Sequence, residues 1–177
     1  MRHLYTALGA LLAPLFLSMP VYASPEAHGR LLDAVEEVGI TVLVNHVVLC
    51  DGNSAGMYSS SHAGLVICQD KRGKPNRIVE WTENDYDTIR HEAHHIIQDC
   101  IQGRLGDSRL DTVFDQQQLK EFVENSGMSE SKFRWIVKTY RDKGLSDKDV
   151  MIELEAFAVA ASISADTIAE TLLEVCQ

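Results

Sequence analysis

His91, Glu92 and His95 stand in the order HExxH, and on a helix that spacing has a chemical meaning. Residues four apart lie one turn above each other on the same face, so His91 and His95 can present two imidazole nitrogens to one metal ion. Glu92 projects beside the pair, where it can take a proton from a water on the metal rather than bind the ion itself. A zinc ion lowers the pKa of such a water from about 15.7 towards about 7, and a neighbouring carboxylate completes the deprotonation as the water attacks a carbonyl. With seven histidines and thirteen glutamates in 177 residues, random order would produce only about 0.02 such motifs.

A catalytic zinc usually has three protein ligands and an open position, so a third ligand must come from elsewhere. The run from Met151 to Ala160 places two carboxylates, Glu153 and Glu155, among apolar and small residues, where an unpaired buried charge is costly. A metal would offset that cost for one of them, and the other is expected to face water. Ala156 and Ala160 share a side with Glu153 and would allow a close helix approach. The motif's own helix demands such a cover. Ile89, Ala93, Ile96, Ile97 and Cys100 follow an apolar stripe at i, i+4, i+7, i+8 and i+11, while His91, His95 and Gln98 lie roughly opposite. His94 points between the two faces and reads as a bystander.

On these residues the chain resembles the gluzincins, zinc peptidases whose third ligand is a Glu on a helix after HExxH. Glu153-Leu154-Glu155-Ala156 is similar to the ExxA pattern of smaller gluzincin-like families, among them membrane prenyl-protein peptidases and antitoxin-cleaving phage and bacterial peptidases. The resemblance implies Glu153 as the third ligand. Phe157 stands where an Asp commonly follows the Ala in the first of those families, which keeps Glu155 as the alternative ligand. The span from about Val48 to Ala161 also resembles small exported zincin-like proteins. What the resemblance implies is an α+β fold: a mainly helical zincin-like domain with a small antiparallel sheet preceding the HExxH helix. It further implies Zn2+ as cofactor, Glu92 as general base, and a peptide or protein substrate. In zincins a strand just before that helix lines the cleft and pairs with extended substrate, a role that falls here to Gly64–Cys68. Tyr58 and His62 would then lie near the site. With Tyr140 they are candidates to stabilise a developing oxyanion, though each also has a purely structural reading.

Several elements must position these residues. Ser24 and Pro25 suit the start of an amphipathic helix reaching about Glu37, with Leu31, Leu32, Ala34 and Val35 on its apolar side and Gly39 at its end. Residues 40–50, 56–60 and 63–68 read as two or three antiparallel strands, the last of them an edge, and 77–81 as a short extended piece. Thr82 to Asp85 has the spacing of a capping box, with Asp replacing the usual Glu, before a helix from about Asn84 to Gln102 closed by Gly103 and Gly106. Helices over 116–124 and 131–141 are expected to bury Phe122, Phe133, Trp135 and Val137. Ser146-Asp147 caps a last helical run, 148–176, expected to break near 164–166.

Length and composition fit one domain over 24–177. Before it, a basic start at Arg2 and His3, an apolar run from Leu4 to Leu17, Pro20 and Val21-Tyr22-Ala23 read as a secretory signal peptide, residues 1–23, cleaved after Ala23. The run is shorter than the roughly 20 apolar residues a bilayer crossing needs, so no stable membrane anchor is expected after cleavage. Losing Arg2 leaves 15 basic against 26 acidic residues, a net charge of −11, which argues against nucleic acid and anionic membranes as partners. Lys71-Arg72-Gly73-Lys74 reads as a solvated turn. The four cysteines suit disulfides in an oxidising compartment. Of three connectivities, Cys50 with Cys68 and Cys100 with Cys176 are favoured, the first closing a hairpin-like loop and the second tying the C-terminus to the HExxH helix. A cysteine metal site lacks CxxC spacing. The expectation is a secreted or periplasmic zinc-dependent peptidase. Two other classes compete with it: a zinc-binding or partner-binding protein on the same scaffold without turnover, and a disulfide-stapled helical protein whose histidines face solvent.

Overall fold

A computed structural model of the chain describes residues 24–50, 52, 54–103, 105–106 and 109–177, and the expected signal peptide lies outside them. The described residues form an α+β fold of six helices and one small sheet. In chain order these are α1 (Pro25–Glu37), β1 (Thr41–Val44), β2 (Gly56–Ser59), β3 (Gly64–Ile67), α2 (Glu83–Cys100), α3 (Gln116–Asn125), α4 (Glu130–Asp142), α5 (Asp147–Ser162) and α6 (Ala165–Cys176).

The helices begin where short polar side chains can accept from otherwise unpaired backbone N–H groups. Ser24 accepts from the amide of Ala27 to open α1. Thr82 and Asp85 complete a capping box at α2, Thr82 Oγ1 accepting from the Asp85 amide while Asp85 Oδ2 accepts from the Thr82 amide. Ser146 opens α5 with Asp149 as its reciprocal partner, and Ser164 restarts the chain as α6 after the break at 163–164. Gly39 follows α1 at φ +90°, a left-handed conformation that favours glycine.

The sheet differs from the expected antiparallel one. It is mixed, in the order β1-β3-β2, with β1 parallel to β3 and β2 antiparallel to it. The strand expected at the edge is therefore central. Its residues explain why: Leu65, Val66 and Ile67 are all buried, and a strand covered on both faces reads as a continuous apolar run rather than an alternating one. With β1 and β2 occupying both of its backbone edges, β3 has no free edge for a substrate strand, which corrects the role expected of Gly64–Cys68. The edge strand against α2 is β2. Gly56 permits that approach, because a Cβ there would lie 2.5 Å from Thr88 Cγ2 and 3.0 Å from Glu92 Cγ. Residues 77–81 form no strand. They are held by side chains, Asn45 donating to the carbonyl of Arg77 at 2.7 Å and Gln69 exchanging hydrogen bonds with the backbone of Val79.

α2 is the centre of the molecule. The sheet lies against one part of it, and α5 and α6 pack along the rest. From Thr88 to Cys100 every residue is buried. The stripe Ile89, Ala93, Ile96, Ile97 and Cys100 faces a core shared with Leu31, Val35, Leu65, Ile67, Ile168 and Leu172. Cys100 bonds Cys176, fixing α6 to the end of α2, and Cys50 bonds Cys68 beyond β3.

Two burial expectations are corrected. α4 has α5 as its main packing partner, so only the narrow strip centred on Ile136 is buried; Phe133 and Trp135 fall off it and stand exposed. Neither glutamate of α5 faces open water, for Glu155 is fully buried and the Glu153 side chain is only 20% exposed.

Candidate metal centre

Because α2 is buried from Thr88 to Cys100, its polar face opposite the apolar stripe needs partners within the fold, and α5 supplies them. Ala156, Ala158 and Ala160 are buried small residues, which permit close approach, and Arg90 Nε donates across the seam to the carbonyl of Ala160 at 2.9 Å. In that seam His91 Nε2 and His95 Nε2 lie 3.1 Å apart. Glu153 faces both, with Oε2 3.3 Å from His91 Nε2 and Oε1 3.7 Å from His95 Nε2. One ligand atom from each of the three lies within 4.8 Å of the others.

Two nitrogens bound to one tetrahedral zinc, each about 2.0–2.1 Å from the ion, sit about 3.3 Å apart. The observed nitrogen separation is close to that. Glu153 Oε2 is buried and has no hydrogen-bond partner among the described residues. A buried carboxylate oxygen left this way is costly unless a cation completes it, and two imidazoles with a carboxylate are a donor set suited to zinc. The residues present fit the ion.

The electrostatics point the same way. Burial disfavours the charge on Glu153, but the His91 and His95 imidazoles facing it at 3.3 and 3.7 Å outweigh it and hold the carboxyl well below the usual carboxylate range. Burial also works against a protonated His95, and Glu153 and Glu92 overcome it, raising the imidazole to about 9. The cluster thus favours a cation at its centre, a proton or a metal.

His95 is oriented by a second layer of hydrogen bonds. Its Nδ1 donates to Gln98 Oε1 at 2.6 Å, so Nε2 is the nitrogen that faces His91 and Glu153 and that offers a lone pair once its proton has left. Gln98 Nε2 in turn donates to the carbonyl of Ile152 at 3.0 Å and to Glu155 Oε1 at 2.9 Å. Glu155 faces away from the two motif histidines. It accepts from His94 Nε2 at 2.8 Å and from the backbone amides of Val113 and Phe114 at 2.9 and 3.2 Å. Glu155 is therefore engaged in joining α2, α5 and the segment before α3, and His94 is its partner rather than a bystander. His91 has no such support: its buried Nδ1 has no hydrogen-bond partner among the described residues, and its ring packs on Phe157 with centroids 4.4 Å apart.

Glu92 lies on the β2 side, where its Oε1 would be 3.1 Å from a Cβ added to Gly56. Its charge reaches both His95 and Tyr140. No hydrogen bond among the described residues occupies its carboxylate. Of the three oxyanion candidates, Tyr58 donates to Asp99 Oδ2 at 2.6 Å and so is committed elsewhere. His62 is exposed and bonds Ser59 and Ser61. Tyr140 alone joins the cluster. Burial, the charge of Glu153, its interaction with that carboxylate and the charge of Glu92 together push the phenol well above its ordinary value, so it remains a proton donor.

The roles of Gln98 and Glu155 were not read from the sequence. Gln98 had a signal, its i+3 spacing from His95 on the same face, whereas the partners of Glu155 come from chain segments far away. No protein-family profile matches this chain, and no curated protein or solved structure is significantly similar to it.

Proposed function

We propose that the chain is an exported zinc-dependent peptidase with a zincin-like active centre, in which His91, His95 and Glu153 hold the ion and Glu92 carries the proton. The observation that supports this best is the convergence of three ligand atoms from two helices, with one buried carboxylate oxygen that accepts no hydrogen bond among the described residues. When bound, zinc would supply Lewis acidity, polarising a scissile carbonyl and acidifying water. Glu92 follows His91 directly on the helix and has no hydrogen-bonded partner among the described residues, so it could accept a proton from an attacking water and return it to the leaving amine. Gln98 and Glu155 keep the His95 ring in its ligating orientation. The Tyr140 phenol, held protonated, can donate to an oxygen on which negative charge develops. The outer edge of β2 offers backbone groups to an extended peptide. Two disulfides suit an oxidising compartment and support export to the periplasm or the exterior.

The test is cleavage of a mixed peptide library by zinc-loaded mature protein, read by mass spectrometry, against Glu92→Gln prepared in parallel. Products made by the wild type and not by the variant support the reading. A variant that binds zinc equally, with no peptide cut by either protein, would replace it with a zinc-binding protein without turnover.

A further inference from the structure

The ligand His91 opens onto an aromatic surface that the reaction described above does not use. The Phe157 ring stands 4.4 Å from the His91 ring, 6.2 Å from Tyr140 and 6.3 Å from Trp135, ring centre to ring centre. Trp135 is 51% exposed. Lys132, one turn earlier on α4, holds its ammonium 4.6 Å above the Trp135 ring and 4.8 Å above Phe157. A continuous ledge thus runs from a metal ligand, over a half-buried ring, to an exposed indole, with one cation above it. Exposed aromatic surface of this kind is unfavourable in water unless something covers it part of the time. Its continuity with the cluster identifies the cover: the group that follows the reacting carbonyl out of the site.

We propose that Phe157, Trp135 and Lys132 form a side-chain subsite that accepts a large apolar residue adjoining the cleaved bond and rejects Lys or Arg there. This rests on the peptidase reading. A phenylalanine or leucine side chain laid on the ledge removes its own apolar surface and that of Trp135 from water, which an alanine cannot do. A basic side chain would meet the Lys132 ammonium at short range and be repelled.

The chain has two tryptophans, so in a Trp81→Phe background Trp135 is the sole indole reporter. Zinc-loaded protein carrying Trp81→Phe and Glu92→Gln is titrated with dye-free peptides that differ only in having Phe, Ala or Arg at one varied position. Binding is read from Trp135 emission, and in parallel from the anisotropy of dye-labelled versions. The Phe peptide is expected to bind about tenfold tighter than the Ala peptide and to shift Trp135 emission to the blue, with the Arg peptide weakest. Trp135→Ala should make the Phe and Ala peptides equal by anisotropy, and Lys132→Glu should lift the Arg peptide above the Ala peptide. Both side chains are exposed, and unchanged thermal unfolding of each variant verifies its fold. A Phe preference that survives Trp135→Ala, Trp135 emission that ignores binding, or failure of every peptide to bind would overturn the subsite. Peptides that bind with the stated preference yet are not cut by wild type would overturn the peptidase reading and leave the subsite standing. Cleavage without preference would do the reverse.

Discussion

Replacing Glu155 by leucine separates the two glutamates of α5 by what each one does. Glu155 is fully buried and accepts four hydrogen bonds, from His94, Gln98 and the amides of Val113 and Phe114. Hydrogen bonds to a charged group contribute about 1.5–3 kcal/mol each, but four on one side chain are not additive, and the two amides are only partly buried. A loss of about 4 kcal/mol is the central expectation, a large share of the roughly 5–15 kcal/mol typical of a domain. For a chain of this size that lowers the melting temperature by about 8–16 °C. The assay is urea and thermal unfolding of metal-free protein with both disulfides intact. Glu155→Gln keeps one acceptor oxygen and should fall between wild type and Glu155→Leu. A leucine variant within about 1 kcal/mol of wild type would show that Glu155 does not hold the segment before α3 against α2.

Three further outcomes follow from the same geometry. Gln98→Leu removes the acceptor of His95 Nδ1–H and should weaken zinc binding by about 10–100-fold, measured by competition with a chelator of known affinity. Zinc must also displace the proton that His95 holds with a pKa raised to about 9, so affinity should fall about tenfold for each pH unit below 9 and level off above it. Calorimetry in two buffers of different ionisation enthalpy would then show about one proton released at pH 7. Gly56→Ala places a methyl 2.5 Å from Thr88 Cγ2 and beside the Glu92 carboxylate. It should cost about 1–3 kcal/mol in stability and reduce peptide cleavage far more than zinc affinity, since it disturbs Glu92 and not the ligands.

Much of the frame was legible in the sequence because its signals are local. Thr82 with Asp85, Ser146 and Ser164 mark helix starts through hydrogen bonds within one turn, and the stripe from Ile89 to Cys100 marks the core face of α2. The disulfide pairing favoured among the three possible ones is the one that forms, although no sequence signal excludes the other two. The sheet order was not legible, because β1 reaches β3 only after the chain has passed through β2, and no local pattern encodes a parallel partner. The same holds for side chains whose surroundings are set by distant elements. Phe133 and Trp135 have the composition of a buried face, yet α4 packs mainly on α5 and leaves them outside. Tyr140 reaches the cluster only because α4 crosses that helix, and Glu153 and Glu155, two residues apart, part company because a helix turns about 200° between them.

In the proposed metal centre His91, His95 and Glu153 hold the ion and Glu92 does not. The most direct test is zinc content and affinity of the mature protein, wild type against His91→Ala, His95→Ala, Glu153→Gln and Glu92→Gln, with folding verified by circular dichroism. Wild type and Glu92→Gln should each carry about one zinc per chain, while the other three should lose it or bind at least 100-fold more weakly. Zinc retained after both histidines are replaced, or retained at full affinity in Glu153→Gln, would mean that the ion is held elsewhere.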